Sequence, residues 1–461
     1  MEGMKIPGDL IEKYNVPVPR YTSYPPANSF TTEYVSTDYI RSLEASNHAS
    51  PENISVYIHI PFCNKLCHYC GCNTHFTRNQ EKIKTYVNAV KKEIRMVKNH
   101  LDKHRRISQV HWGGGTPNSL PPEMIEELMA VVREDFLFTP KPEIAIECHP
   151  ALLEGDYIEK LADAGFNRIS LGIQDFNPAV LRAVNRDEPK IPVEELVDII
   201  RSKGSIGVNF DFIYGLPFQD AGSFAASLER AAKIAPDRIV TFSYAHVPWI
   251  KKAQKILERK GLPSPAEKLN MFLTGYQILT LADYKPIGLD HFAKSADELN
   301  IALKNRNLHR NFQGYCTRET TGQVYAFGTT GISQTENAYM QNTRDLDNYI
   351  ALISKGMFAT DKGYILSPTD KIIRHVINEV MCNHYVSWEQ AAQVFHTSVS
   401  EIKNTIRYNE LSLAGFASDN LLSFNGSEVE LTLLGRFFIR NIAACFDPHY
   451  LLTTSKFSKS L

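Results

Sequence analysis

A regular alternation of short apolar runs with helical segments dominates the chain between residue 54 and about residue 245. The apolar runs are "ISVYIHI", "QVHW", "PEIAIECHP", "NRISLGIQ", "GVNFDFIYGLP" and "DRIVTFSYAHVP", with helical segments such as "DYIEKLADAG" and "PVEELVDIIRSKG" between them. Strands that alternate with helices indicate parallel strands joined by crossover helices. Six such strands predict an α/β fold built on a partial (β/α) barrel.

Polar and glycine residues follow the predicted strands. In parallel α/β architectures the ligand lies at the carboxyl ends of the strands. We therefore expect one site to collect these residues. They are Cys63 after the first strand, Gly113 to Thr116 after the second, Glu147, Gln174 and Asp211 after the next three, and Ala245 with His246 after the sixth.

From about Tyr349 onward the alternation stops and helical patterns dominate. The segment "LLSFNGSEVELT" then places Asn-Gly between two apolar alternating runs, which is a strong hairpin signal. Helices followed by a hairpin suggest a winged-helix-like module, and because the segment is not notably basic we favour a cap over the barrel mouth rather than DNA binding. The predicted domains are an N-terminal extension covering the site (1–52), the barrel with its extension (53–348) and a mostly helical C-terminal domain (349–461).

Composition limits the class of protein. The chain has 461 residues, 43% of them apolar, a formal net charge of -1 and eight cysteines. No apolar leader and no run of about 18 uncharged apolar residues is present in the sequence. We therefore expect a cytoplasmic protein with small partners, no nucleic-acid partner and no membrane association. Thiols stay reduced in that compartment, so clustered cysteines indicate metal or redox chemistry.

Four cysteines lie within ten positions of the stretch "IPFCNKLCHYCGCNTHF", at Cys63, Cys67, Cys70 and Cys72. Zinc sites typically use two cysteine pairs separated by a dozen or more residues, and this single cluster is spaced differently. Three thiolates on one short loop suit a 4Fe-4S cluster with one iron left open for a ligand. A structural zinc site using all four thiols is the alternative.

The spacing of Cys63, Cys67 and Cys70 resembles the CxxxCxxC signature of the radical S-adenosylmethionine (SAM) enzymes. More of the chain resembles one family among them, the oxygen-independent coproporphyrinogen III oxidases. The motifs that carry this resemblance run from residue 19 to residue 447. They are "PRYTSYPPA", the "CGC" that contains Cys72, "HWGGGTP", "GIQDFNPAVLRAVNR", "DFIYGLP", "IGLDHFA", "LHRNFQGY" and "RNIAACFD".

The resemblance implies a 4Fe-4S cluster held by Cys63, Cys67 and Cys70 and two molecules of SAM, one of which would chelate the open iron. Cys72 would not be a ligand. The first SAM would contact Tyr57, Glu147 and Ile332. The residues implied for the second SAM are Tyr69, Gly114, Gly115, Thr116, Gln174, Arg186, Asp211 and Ala245.

The activity that the resemblance implies is oxidative decarboxylation of two propionates of coproporphyrinogen III to vinyl groups, giving protoporphyrinogen IX. The substrate carries four propionates, so Arg20 and Arg310 are candidates for carboxylate pairing, and Gln313 lies in the same segment as Arg310. A flavodoxin- or ferredoxin-like electron donor, an unidentified electron acceptor and a monomeric state would complete the description.

Three alternatives remain at this point. A haem chaperone of the same ancestry typically lacks "RYTSYP" and the second cysteine of "CGC", both of which this chain has. A haem-degrading radical SAM methyltransferase is weakened by the same features. A zinc-stabilised binding protein with a winged helix would need nucleic-acid affinity, which the charge does not support.

Two positions depart from the family pattern. His149 stands where the family usually has an acidic residue, and Tyr69 stands where phenylalanine is frequent. Neither change affects the cluster ligands, and Tyr69 keeps an aromatic ring. The scattered cysteines are expected to be ordinary buried thiols. They are Cys148, Cys316, Cys382 and Cys445.

Overall fold

A computed structural model describes residues 6–50, 52–317, 323–450 and 457. At its centre are six neighbouring strands, parallel to one another and ordered as in the chain. They confirm the predicted partial barrel. The strands are β1 (Ile54–Ile60), β2 (Arg106–Gly114), β3 (Leu137–Cys148), β4 (Arg168–Gln174), β5 (Gly207–Tyr214) and β6 (Arg238–Ser243).

Helices connect these strands and cover the outside of the sheet. The helix Gln80–Lys98 shows why: its apolar residues recur every three or four positions and are buried on one face, among them Val87, Val90 and Ile94. The other connecting helices are Pro122–Asp135, Gly155–Asp163, Pro178–Ala183, Val193–Ser202, Ala221–Ile234, Lys255–Lys260 and Pro265–Leu281.

None of the helices in the described part of the chain combines the length and the apolar character that a membrane span requires.

Further strands extend the sheet at both edges to twelve. Gln323–Phe327 lies parallel to β1, and Ile332–Gln334, Ala338–Asn342 and Thr360–Ile365 follow it antiparallel. Beyond β6 the antiparallel strands His291–Ala293 and Lys285–Ile287 complete the sheet. Nearby lie the hairpin formed by Leu308–Asn311 and Gly314–Thr317, and the helices Glu298–Lys304 and Leu346–Ser354.

The C-terminal part is mostly helical, as predicted. A small antiparallel sheet joins Tyr385–Ser387, Glu428–Leu431 and Leu422–Phe424, and the predicted hairpin turns at Asn425 and Gly426. Trp388 is fully buried in the separate core of this part. Its helices are Pro368–Asn378, Trp388–Val394, Val399–Thr405, Glu410–Ser418 and Ile439–Ala444.

The N-terminal segment contacts both parts of the molecule. Its helix Gly8–Tyr14 and the following Val18 and Tyr24 pack into the C-terminal core. Its second helix, Ser36–Ser46, buries Tyr39 and Leu43 in the core of the barrel. The segment therefore connects the C-terminal part to the barrel.

Candidate active site

A cavity of about 350 Å³ lies inside the barrel. Its wall includes residues from the cysteine loop and from the ends of β2 to β5, where the sequence predicted a site. The predicted cluster, cofactor and substrate residues that line it are Cys63, Cys67, Tyr69, Cys70, Gly114, Gly115, Thr116, Glu147, Gln174, Arg186, Asp211 and Gln313.

Backbone hydrogen bonds hold the start of the cysteine loop against the segment after β2. The amide of Gly115 donates to the carbonyl of Ile60 at 2.8 Å, and the amide of Thr116 donates to that of Phe62 at 2.9 Å. Cys63 Sγ lies 3.4 Å from Thr116 Oγ1. These contacts place the first cysteine of the cluster at the edge of the glycine segment.

The three glycines after "HW" are required by close packing. A Cβ on Gly113 would lie 2.8 Å from Glu147 Oε1, and one on Gly115 would lie 2.7 Å from the carbonyl oxygen of Pro61. Gly114 has φ of 118°, and its Cβ would lie 2.7 Å from the ring of His59. Only residues without a side chain allow these approaches. The glycines therefore bring β2, Glu147 and the cysteine loop together.

Arg186 holds the other side of the cysteine loop. Its Nη1 lies 3.7 Å from Cys67 Sγ and 3.4 Å from the hydroxyl of Tyr69, and its Nη2 donates to the carbonyl of Gly172. Burial opposes its charge, but Tyr69 and Cys67 raise the pKa of the Arg186 guanidinium above its ordinary value. A fixed positive charge therefore lies beside the sulfur atoms.

Gln254 is a residue of this site that sequence reasoning missed. It is 1% exposed, and its Nε2 donates to the carbonyls of Tyr69 at 2.9 Å and Ala245 at 3.2 Å. Lys251 Nζ donates to the carbonyl of Cys72 at 2.6 Å. The segment after β6 therefore fixes the end of the cysteine loop, and no local sequence pattern indicates this long-range contact.

Two carboxylates at the strand ends have different surroundings. Glu147 Oε1 lies 3.1 Å from His111 Nε2. Asp211 Oδ2 accepts a hydrogen bond from Ser170 Oγ at 2.9 Å. Burial, followed by the negative charge of Glu147, raises the pKa of Asp211 to about 7. Asp211 can therefore carry a proton at neutral pH and act as either donor or acceptor toward a bound polar ligand.

Gln174, at the end of β4, has an unusual backbone conformation and a free acceptor. Its φ is 66°, in the left-handed region that non-glycine residues rarely adopt. Its buried Oε1 has no hydrogen-bond partner among the described residues. A buried amide oxygen without a partner is costly in a folded protein, so a ligand in the cavity is expected to supply the donor.

Further polar residues line the barrel at alternate positions of the strands. Glu143 accepts hydrogen bonds from Gln109 Nε2 at 2.9 Å and Arg168 Nε at 2.7 Å, and Arg238 Nε donates to Asp297 at 2.9 Å. Sequence reasoning missed this group. A signal was present, because Gln109 and His111, Glu143 and Glu147, Arg168 and Ser170, and Asn209 and Asp211 share one face of their strands.

A second cavity, of about 380 Å³, lies across β6 from the first. Arg20, Ala245 and His246 line this second cavity and not the first. The side chains of β6 alternate between the cavities, because Phe242 lines the first and Thr241 the second. The structure therefore divides the strand-end residues between two neighbouring spaces.

Three other residues named from the sequence are not part of the wall of the first cavity. Tyr57 stacks on His111, a lining residue, with ring centroids 6.0 Å apart. Ile332 packs in a small apolar cluster with Phe30. Arg310 lies 4.5 Å from the centroid of the Tyr315 ring, and its buried Nε and Nη1 have no hydrogen-bond partner among the described residues.

The positions that depart from the family pattern are both cavity-lining. His149 accepts a hydrogen bond from the amide of Ala151 at 3.2 Å, and its backbone amide donates to Asn118 Oδ1 at 2.8 Å. Burial lowers the pKa of His149 to about 3, so its ring is neutral where the family usually has a charge.

The four thiols of the cysteine loop all line the cavity. Cys63 is buried, Cys67 and Cys70 are half-buried and Cys72 is exposed. Three thiolates on one short loop suit the separate irons of a 4Fe-4S cluster.

The four scattered cysteines have ordinary surroundings. Cys148 and Cys382 are buried, and Cys445, half-buried, lies 3.6 Å from the carbonyl of Asn441. Cys316 is buried, and with Cys148 it contributes to the wall of the first cavity.

Comparison with known proteins identifies the family. The Radical SAM superfamily model matches residues 57–231. The oxygen-independent coproporphyrinogen III oxidase of Synechocystis is 41% identical, with 97% of this chain and 96% of that protein covered. The protein of the same name from Salmonella typhimurium is 39% identical, with 95% and 94% covered. The chain belongs to the oxygen-independent coproporphyrinogen III oxidase family.

A solved structure agrees with this assignment. Coproporphyrinogen III oxidase (HemN) from Escherichia coli, described as a radical SAM enzyme, superimposes with a TM-score of 0.89 at 36% identity, over 97% of this chain and 100% of that one. As a member of the coproporphyrinogen III oxidase family, the chain is a radical SAM oxidoreductase. The family resemblance found in the sequence is confirmed, and the zinc-stabilised binding protein is excluded.

Proposed function

We propose that this oxidase decarboxylates two propionate side chains of coproporphyrinogen III to vinyl groups and so gives protoporphyrinogen IX in haem biosynthesis. The observation that carries the proposal is the cysteine loop, which the glycine segment and Arg186 hold at a polar barrel cavity. The names and full-length similarity of the relatives support the same substrate.

Cys63, Cys67 and Cys70 would hold a 4Fe-4S cluster, and SAM would bind its open iron. When bound, the cluster and SAM would supply the radical chemistry that removes a hydrogen atom from a propionate of the substrate. The lining of the cavity supports this assignment, because the thiols of the cysteine loop, Cys72 included, line it beside the buried charge of Arg186.

We further propose that two SAM molecules bind. The first would contact Glu147, Tyr57 and Ile332; of these three residues, Glu147 lines the first cavity. The second would use Tyr69, Gly114, Gly115, Thr116, Gln174, Arg186, Asp211 and Ala245. Two of these residues suit the polar groups of SAM. The side-chain oxygen of Gln174 has no hydrogen-bond donor among the described residues. Asp211 can bind hydroxyl or amino groups in either protonation state.

Arg20, Arg310 and Gln313 are proposed to contact the substrate. Gln313 lines the first cavity and Arg20 the second. The buried Oε1 of Gln313 and two nitrogen atoms of Arg310 have no hydrogen-bond partners among the described residues, so polar groups of a ligand could satisfy them. Arginine pairs with carboxylates through two parallel hydrogen bonds, which suits a substrate that carries propionates.

Other parts of the proposal concern the enzyme as a whole. We propose a cytoplasmic monomer that takes electrons from a flavodoxin- or ferredoxin-like donor and passes an electron from the substrate to an acceptor not yet identified. The domain boundaries form a separate part of the proposal, and residues 1–52 would form an extension over the site.

We propose that the C-terminal domain begins at Ser367 rather than at 349, because the strand Thr360–Ile365 belongs to the large sheet.

The test is anaerobic reconstitution of the cluster, followed by incubation of the reduced protein with SAM and coproporphyrinogen III. Chromatography should show the tricarboxylate intermediate and then protoporphyrinogen IX, with 5'-deoxyadenosine formed alongside. Cys67→Ser should lose both the iron and the turnover. Cys445→Ser should keep both, because Cys445 follows the helix Ile439–Ala444 and does not line the cavity. Cleavage of SAM with the porphyrinogen unchanged would favour the chaperone alternative.

A further inference from the structure

The second cavity concentrates positive charge in a chain whose net charge is -1. Among the described residues, four cationic side chains line it: Arg20, Lys268, Arg436 and Arg440. The one carboxylate in the described wall, Asp290, already pairs with His291 Nδ1 at 2.7 Å. The excess of cations indicates a site for an anion with more than one negative group.

Two of these cations have no carboxylate partner. Among the described residues, neither Lys268 nor Arg436 has a carboxylate within ion-pair distance, and Lys268 Nζ donates to the carbonyl of Tyr244 at 2.9 Å. The buried Nε of Arg436 has no hydrogen-bond partner in that part of the chain. Burial, and then the charge of Arg20, lowers the pKa of Lys268. Both side chains are half-buried, and partly desolvated cations without counter-ions favour a ligand that neutralises them.

His384 adds an independent sign of a ligand. Its side chain lines the same cavity and is 3% exposed, and neither ring nitrogen has a hydrogen-bond partner among the described residues. Burial, and then the charge of Arg436, lowers its pKa to about 3, so the ring stays neutral. A neutral ring nitrogen left free beside Arg436 can donate to or accept from a bound polar group.

Aromatic rings form the apolar part of the wall. Phe437 contacts Phe272 at 5.8 Å and Tyr276 at 4.9 Å between ring centroids. The volume of about 380 Å³ lies in the usual range for organic ligands. Aromatic walls with several cations suit a molecule that has an apolar body and several carboxylates.

His291 lines both cavities, so a ligand in the second cavity lies next to the first. We propose that Lys268 and Arg436 bind the propionates of the tetrapyrrole that are not decarboxylated, while the reacting propionate enters the first cavity. The proposal rests on the proposed function, and it assigns a binding site to residues that come from two distant parts of the chain.

The test measures equilibrium binding of porphyrins by fluorescence, with coproporphyrin III and protoporphyrin IX as stable probes and an alkyl porphyrin without carboxylates as reference. Lys268→Met and Arg436→Met keep the length of the side-chain stems and remove the charge. Each variant should bind both carboxylate porphyrins about tenfold more weakly, as expected for the loss of one charged hydrogen bond. The affinity for the porphyrin without carboxylates should stay unchanged. Both probes should respond alike, because product and substrate share the unreacted propionates.

Lys255→Met and Arg259→Met are matched controls, because both residues are exposed on the neighbouring helix Lys255–Lys260 and outside the cavity. Lys268→Arg and Arg436→Lys should restore most of the affinity, which a purely structural defect would not allow. In turnover, the methionine variants should raise the KM for coproporphyrinogen III more than they lower kcat.

The proposal would be overturned if the methionine variants bound the carboxylate porphyrins as tightly as the parent protein does. It would also be overturned if the variants lost as much affinity for the porphyrin without carboxylates. A loss confined to coproporphyrin III would also overturn it, because the site would then hold the reacting propionates. If the parent protein binds the probes through Lys268 and Arg436 but does not turn over the porphyrinogen, the proposed function fails and this binding site stands.

Discussion

Asp447 accepts hydrogen bonds from two buried tyrosines of the N-terminal segment. The hydroxyl of Tyr21 lies 2.9 Å from Asp447 Oδ2, and that of Tyr24 lies 3.1 Å from Oδ1. The tyrosines are 4% and 2% exposed, and the aspartate is 5% exposed. Arg20 precedes Tyr21 at the edge of the second cavity, so these bonds fix the segment that carries it. Replacement of Asp447 by alanine should therefore affect both stability and substrate binding.

The size of the effect follows from the two tyrosine bonds. Asp447 Oδ1 also accepts a bond from the amide of His449 at 2.9 Å, but that bond is local to the C-terminal part and does not hold the N-terminal segment. A hydrogen bond to a charged group contributes about 1.5 to 3 kcal/mol, so two bonds give about 3 to 6 kcal/mol. The variant no longer pays for burying the carboxylate, which offsets part of this loss. We expect Asp447→Ala to lower the free energy of unfolding by about 3 kcal/mol. Asp447→Asn keeps a neutral acceptor and should lose less.

Urea unfolding of the cluster-free protein measures the loss of stability. Limited proteolysis measures the loosening of the segment 6–24, which carries Arg20. The midpoint in urea should fall, and cleavage within the segment should become faster. Asp419→Ala is the matched control, because Asp419 accepts a hydrogen bond from Tyr14 of the same segment but lies at a more exposed position. Equal midpoints and cleavage rates for the parent protein and Asp447→Ala would refute the reasoning.

Three further predictions concern the site and the core. Arg20→Ala should raise the KM for coproporphyrinogen III about tenfold, because one arginine–carboxylate pair is lost. Arg41→Ala, on the same segment, is the control and should keep the KM of the parent protein. A parent-like KM for Arg20→Ala would contradict the assignment. Gly115→Ala should reduce bound iron after reconstitution, because its Cβ would meet Pro61, whereas Gly71→Ala in the same loop has open space around its Cβ and should bind iron normally; equal iron contents would contradict this packing argument. Burial raises the pKa of Glu93 from 4.5 to about 7, despite hydrogen bonds from Tyr349 and the backbone. The protonated side chain therefore stabilises the fold fully below pH 4.5, and this stabilisation is lost as the pH rises through about 7. The total loss is about 3 kcal/mol of unfolding free energy. Glu93→Gln should flatten this part of the stability profile in urea unfolding between pH 5 and pH 8, and a slope equal to that of the parent protein would disprove the assignment.

The barrel and the position of its first cavity could be predicted from the sequence because both depend on local patterns. β5 shows this: the run "VNFDFIY" alternates between the two faces of the sheet, so Asp211 had to face the ligand side or be paired inside. Cys63, Cys67 and Cys70 follow β1 directly, and a short loop cannot carry them far from the strand end. At β6 the structure adds a detail that the strand ends do not predict, because Ala245 lines the second cavity and not the first.

The sequence by itself therefore determined the fold class, the cysteine loop and the strand-end residues, since strand periodicity and short loops limit where neighbouring residues can lie. Only the tertiary structure decided the contact of Gln254 with Tyr69, the bonds of Asp447 to Tyr21 and Tyr24, and the second cavity. These depend on residues that lie far apart in the chain and meet only when the N-terminal segment, the barrel and the C-terminal part pack together. Long-range packing of this kind leaves no periodic signal in one sequence.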